Sequence, residues 1–352
     1  AGANKWLLLA HAIRRALVLF LLGLGMYGFP DWRLIGPFIA VIAGLQWHFR
    51  EPPTALPASQ TPHTPWTRWV GMPLVVAGMA WFAWDFGYFD DSGLRVPGVL
   101  QRIGACYLLA APILIFAGFR GALVGGLALV TGYTLLTQFV SAPTGYPADV
   151  TGAEGLLHDW IDVRVLGGHL YRERPDPEGM LSTLPATATV LCGVLTGWWV
   201  RRGQDKPATA VGLFVAANGL VFLGWCMSGW IPLNKKLWTG SYVIFTAGLA
   251  LHVLGMCYWL IDMRGWRRWA APLLVFGSNA IVVFVASSLM AKLLYRWRVV
   301  DDGPSVSRWT YEHVFASWAS PKSASLLYAL TYVLLWLLVM IPLYRRRIFI
   351  KV

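Results

Sequence analysis

The stretch RVPGVLQRIGACYLLAAPILIF, residues 95–116, decides the fold. From Cys106 to Phe116 it is apolar and uncharged, the pattern of a helix crossing a membrane. Just ahead of that run stand Arg95, Gln101 and Arg102. Ionisable groups at membrane depth cost a few kcal/mol each on insertion scales, so they mark function by default.

Working outward, similar apolar runs recur along all 352 residues, of which 57% are hydrophobic and only 13% charged. In lipid a backbone must satisfy its own hydrogen bonds, so the chain reads as an all-α, polytopic transmembrane helical bundle. A crossing takes about 20 mostly apolar residues. That rule gives ten spans, near 10–29, 33–49, 69–88, 97–118, 121–140, 181–200, 207–228, 239–261, 269–291 and 324–344. The longest connections, 141–180 and 292–323, are too short for independent cores, so 1–352 is read as one membrane domain.

Charge orients the bundle. Ten spans with the N-terminus inside put 16 Lys and Arg with three acids on the cytoplasmic side, and 13 with 14 on the other. A balance of +13 inside against −1 outside follows the positive-inside rule and accounts for the net +12. Both termini are therefore expected in the cytoplasm. The basic composition is a topology signal, and no basic face or stacking platform marks a nucleic-acid partner.

Cys106, Cys192, Cys226 and Cys257 all fall inside spans with no C-x-x-C spacing, which reads as packing, with no disulfide and no metal site. Gly23, Gly25 and Gly28 fit G-x-G-x-x-G, but they end an apolar helix with no strand before it, so nucleotide binding is excluded. Gly121 with Gly125, and Gly193 with Gly197, read as close helix-packing pairs.

The polar chemistry gathers at extracytoplasmic mouths. His158, His169 and His313 fall there, and His252 lies mid-span. His158 with Asp162 makes H-x-x-x-D, one residue short of the H-x-x-x-x-D of soluble glycerolipid acyltransferases. Asp176 and Glu178 precede an apolar helix with Ser182 and Thr183 at its first turn; they either complement the helix N-terminus or bind a ligand. Asn234, Lys235 and Lys236 precede Trp238, as an interfacial anchor or an anion site. Asn279 sits inside a span, where an amide needs a partner.

Five segments in order, RRALVLFLLGL, LRVPGVLQRIGACYL, DPEGMLSTLPATATVLCGVLTG, PLNKKLWTGSYVIFTAGLAL and PLLVFGSNAIVVF, resemble the heparan-alpha-glucosaminide N-acetyltransferase family, most closely its bacterial members. The resemblance runs from residue 14 to about 285. It implies a multi-pass protein of the bacterial inner (plasma) membrane that moves an acetyl group from cytosolic acetyl-CoA to an extracytoplasmic amino sugar. Its partners are then the lipid bilayer and the sugar acceptor; a homo-oligomer is compatible with it.

The family normally begins with a D-x-F-R-G helix, a loop bearing its acetyl-accepting or general-base histidine, and a second helix. These are absent here, and the chain opens on AGANKW almost directly into a helix, so sequence upstream is expected. His63 in HTPWTRW follows the segment it should precede and falls on the cytoplasmic side. The stretch 33–88 reads as an extra helical pair.

On this reading Gln101 and Arg102 line a polar cavity and hydrogen-bond the pantetheine arm or reacting carbonyl, while Arg95 pairs with Asp176 or Glu178 to fix the loop. Asp176, Glu178, Ser182, Asn234, Lys235 and Asn279 join the substrate-binding set, with the thioester expected near Gln101, Arg102 and Asn279. No histidine is assigned as the base; His158, His169, His313 and His252 are the candidates. Two rivals remain: a membrane O-acyltransferase using His252 with Asn218, and a transporter of an amino-sugar or anionic substrate. The acceptor sugar and the acyl chain stay open.

Overall fold

The computed structural model describes residues 4–48, 65–143, 155–171, 174–203 and 205–350, with backbone alone for 65–69; His63 lies outside them. Among the described residues the structure is helical, with no β-strand and two isolated bridges, Ser141 with Leu156 and Arg298 with Ser305. The chain forms two compact units, Ala1–Arg264 and Gly265–Val352.

The first unit runs α1 (Lys5–Gly28), α2 (Trp32–His48), α3 (Pro65–Trp84), α4 (Phe86–Asp91), α5 (Val99–Phe139), α6 (Leu157–Leu166), α7 (Thr183–Arg202), α8 (Lys206–Met227) and α9 (Gly240–Cys257), which continues as a π turn to Met263. The second holds α10 (Ala271–Ser278), α11 (Ala280–Arg296), α12 (Val306–Thr310) and α13 (Pro321–Arg345). Local chemistry sets the starts. Asn4 caps α1, its Oδ1 accepting from the Trp6 amide at 3.0 Å. Ser320 caps α13, with Pro321 in the first turn, where a missing N–H is harmless.

Among the described residues six helices are long and apolar enough to cross a membrane: α1, α5, α7, α8, α9 with its π turn, and α13. Arg268–Ser278 and Ala280–Arg296 make a seventh if their 73° bend lies within one span. These helices expose large apolar side chains, as lipid requires. On α13, Leu326, Leu330, Leu334 and Leu338 form an exposed stripe at every fourth residue.

The ten expected spans map unevenly onto these helices. The 17-residue α2 is short, and the 20-residue α3 is apolar over Val70–Trp84, the part whose side chains are described. By contrast α5 carries two of the expected spans in one 41-residue element. Gly118 breaks it with φ 61° and ψ −144°, backbone that side chains with a Cβ strongly disfavour. The chain then folds back: a Cβ on Gly125 would sit 3.4 Å from Ile113, and Leu191 of α7 packs with both Ala110 and Ala122. A straight helix would hold residues 113 and 125 about 18 Å apart.

The expected packing glycines are only partly in place. Gly121 and Gly125 line the α5 hairpin, but Gly193 and Gly197 face open space. Glycines at other positions allow close approach, as between α8 and α9. A Cβ on Gly224 would lie 2.6 Å from the Phe245 amide nitrogen, and one on Gly248 2.7 Å from that of Val221.

Candidate functional site: a buried polar cluster where α5 begins

Gly98 caps α5, and Gln101 and Arg102 occupy its first turn, 3% and 8% exposed. Gln101 is wedged between α1 and its own cap: a Cβ on Gly23 would overlap the amide, and one on Gly98 would lie 2.6 Å from Oε1. Arg102 donates through Nη2 to Ser182 Oγ and to the Gly179 carbonyl at 3.4 Å. Its guanidinium lies 4.9 Å from the Trp238 ring centroid, a cation–π contact. Among the described residues, Gln101 Oε1 and Nε2 and Arg102 Nε and Nη1 are buried with no hydrogen-bond partner. Such groups in a native fold call for a functional account.

The outer wall is the loop before α7. Arg95 donates to Asp176 Oδ1 at 2.6 Å and Oδ2 at 3.2 Å, to Glu178 Oε2 at 2.5 Å and to the Tyr27 hydroxyl at 3.1 Å. Burial works against its charge, yet the bonds and field of Asp176, with Tyr27 and Glu178, more than offset this and raise its pKa. Asp176, 1% exposed, also accepts from the Tyr171 and Glu178 amides at 2.8 and 2.9 Å. These acids therefore do not cap α7; they clamp Arg95.

The inner wall is α6. His158 and Asp162 lie one turn apart and are 1% and 0% exposed, so they share the buried face. Asp162 Oδ1 accepts from the Met180 amide at 2.9 Å, and its Oδ2 is pressed so close to Gly179 that a Cβ there would overlap it. Neither ring nitrogen of His158 has a hydrogen-bond partner among the described residues. From the far arm of α5, Tyr133 closes the cluster, its hydroxyl donating to the Leu237 carbonyl at 2.5 Å.

Burial, and then the Arg102 charge, push the His158 imidazole down from 6.5 to about 4. Burial pushes the Asp162 carboxyl up from 3.8 to about 6, with Asp176 and Asp159 adding to it against the Met180 amide and Arg102. These shifts act oppositely on stability. Between pH 4 and 6.5 the unfolded chain holds a His158 proton that the folded one lacks, so stability rises with pH. Between 3.8 and 6 the folded chain holds the extra proton at Asp162, so stability falls as pH rises. The unaltered protein is expected to melt at a nearly level temperature across that range, as far as these two groups decide it. Asp162→Asn leaves the rise and His158→Gln leaves the fall, measured by melting in detergent from pH 4 to 7. Slopes of the same sign in both variants would show that these groups are not buried as described.

The other expected residues have local partners of their own. His169 is a staple: Nδ1 bonds the Leu94 carbonyl at 2.8 Å, Nε2 contacts Asp90 at 3.2 Å, and the ring stacks on Phe89. His252 and Asn218 each bond a carbonyl one turn back on their own helices, Gly248 and Phe214, so neither is drawn into a pair by these bonds. His313 stacks on Trp309 in the second unit. Asn234 Oδ1 accepts from the Lys236 and Leu237 amides, making a turn that leaves Lys235 on the surface. Asn279 lies in the second unit with backbone partners. Its amide donates to the Ile348 carbonyl at 2.9 Å and accepts from the Ile350 amide at 2.8 Å, pinning the C-terminal segment. Tyr133 and Trp238 had no place in the sequence-based set, and Asp162 entered only through its spacing from His158.

Helices with exposed apolar faces and a sealed ionisable cluster define the class: an integral, multi-pass helical membrane protein with a buried polar site. The chain is similar to two proteins named heparan-alpha-glucosaminide N-acetyltransferase. The human protein of that name is 26% identical over an alignment of 318 residues, covering 74% of this chain and 44% of the human protein. The mouse protein is 25% identical over 316 residues, covering 74% and 45%. The chain thus spans less than half the length of these curated relatives. No family model matches it.

Proposed function

We propose that the protein transfers an acetyl group from cytosolic acetyl-CoA to the amine of an extracytoplasmic amino sugar. One observation carries the reading: Arg102 and Gln101 are buried with uncommitted polar atoms at the mouth of an apolar helix, in a relative of N-acetyltransferases. Donors in a water-poor site suit the charge that develops on an acyl oxygen. The residues fit the donor at both ends. From Thr183 beside the cluster, α7 runs about 30 Å to Arg201 and Arg202. Lys206 begins α8 next to that end, and Arg264 lies on the same unit. A stretched coenzyme A is of that length, and arginines suit its phosphates.

This requires the α7 C-terminus in the cytoplasm and α6 outside, as the charge split gives. Labelling of single-cysteine variants Arg164→Cys and Arg202→Cys with an impermeant reagent is expected to mark them from opposite faces; labelling from one face would remove the topology. The activity test uses the full-length protein in proteoliposomes, with acetyl-CoA inside and glucosamine outside. Acetylated sugar outside with free CoA inside, and calorimetric binding of CoA, support the reading. Sugar uptake with no CoA binding would replace it with transport.

A further inference from the structure

We infer that Asp162 is a positioning residue: across the Gly179–Met180 peptide it sets where the Arg102 guanidinium lies. This rests on the acetyltransferase reading, in which Arg102 meets the acyl oxygen, and adds the device that holds it there. Asp162 Oδ1 accepts from the Met180 amide at 2.9 Å. The carbonyl of that same peptide, on Gly179, accepts from Arg102 Nη2 at 3.4 Å, from Ser182 Oγ at 3.0 Å and from Thr183 Oγ1 at 2.9 Å. A peptide unit is planar, and in the trans form its N–H and C=O point opposite ways. One rigid plate is therefore bonded to α6 along one edge and to α5 and the start of α7 along the other.

Among the described residues no hydrogen bond or ion pair joins Asp162 to Arg102 directly, so the peptide is the link. The plate cannot turn unless Asp162 lets go. Asp162 is 0% exposed, and its Oδ2, without a hydrogen-bond partner among the described residues, rests against Gly179, where a Cβ would overlap it. Both carboxylate oxygens thus face this one peptide. A carboxylate on the N–H polarises the peptide and strengthens what its carbonyl accepts, as linked hydrogen bonds do. The pull reaches Arg102 directly and through Ser182, whose Oγ donates to the carbonyl while accepting from Arg102 Nη2. With Nη2 held in this way, Nε and Nη1 are left for the acyl oxygen.

The test uses the full-length protein in proteoliposomes with Asp162→Asn and Asp162→Leu, each alone and combined with Arg102→Ala. Asparagine keeps an oxygen for the Met180 amide and should hold kcat within about tenfold of wild type, since a neutral acceptor binds roughly half as strongly as a charged one. Leucine is of similar size with no acceptor, and should lower kcat on the order of 10²-fold, the effect of misplacing a group by about an ångström. CoA affinity by calorimetry should stay within about threefold in both, since ground-state binding is not removed. On the Arg102→Ala background the leucine change should cost less than about twofold, because residues that act through one another are not additive. A full-sized loss on that background makes Asp162 structural in its own right and overturns the inference while the activity stands. An asparagine variant as slow as the leucine one also overturns it, because the carboxylate is then needed for its charge or its proton. Gly179→Ala, which pushes the carboxylate off the peptide from the other side, should reproduce the leucine loss and stands in for it if leucine prevents folding; a wild-type rate there counts against the inference. No transfer by the wild type overturns inference and activity together.

Discussion

Asp176→Ala is expected to lower the stability of the protein by about 3–5 kcal/mol, the loss typical when one partner of a buried ion pair is removed. Asp176 is 1% exposed and accepts four hydrogen bonds, two from Arg95 and two from backbone amides. Its removal leaves a guanidinium, only 15% exposed, with Glu178 as its remaining carboxylate. It also frees the Tyr171 and Glu178 amides. Glu178→Gln is the matched control: Glu178 is more exposed and Arg95 keeps both bonds to Asp176, so a cost of about 1 kcal/mol is expected. Melting in detergent ranks the two. A variant at Asp176 that melts no earlier than the one at Glu178 would sink the clamp as the feature that fixes this loop.

Much of this clamp is legible in the sequence, because charge next to an apolar run needs a partner. Arg95 and the acids of DPEG are the charges flanking two such runs, and the structure joins them. Gly118 is legible for the same kind of local reason: it falls between two apolar runs, and only glycine readily takes the backbone that turns one into the other. What the sequence hides is burial. Six other histidines compete with His158, and spacing distinguishes it only through Asp162, one turn along. Which face of α6 turns inward depends on Gly179 and Arg102, far away in sequence. Trp238 was hidden by backbone geometry. It follows two lysines, as an interfacial anchor would, but with φ 54° at the end of the Asn234 turn its ring stacks over Arg102. Asn279 shows the same limit: an amide in a span needs a partner, as its sequence position says, but that the partner is the backbone at Ile348 and Ile350 is visible only in the fold.

Arg102→Ala is expected to reduce kcat/KM for acetyl transfer by about 10²–10³-fold, the loss seen when one preorganised donor to a developing oxyanion is removed. The argument lies in what the side chain has left to give. Nη2 is spent on Ser182 and the Gly179 carbonyl, which fix the guanidinium from one side, and Trp238 covers a face. Nε and Nη1 remain, buried and without a hydrogen-bond partner among the described residues. Lysine cannot replace them, because a single ammonium cannot both hold Ser182 and present a planar pair of N–H donors. Arg102→Lys should therefore fall within about tenfold of Arg102→Ala and not of wild type. Trp238→Ala tests the support rather than the donor: losing a cation–π contact worth about 1 kcal/mol should reduce the rate roughly fivefold. Rates from proteoliposomes, set beside CoA affinity, separate these contributions. A lysine variant with wild-type kcat would mean that charge alone matters at this position, and that the fork geometry is structural.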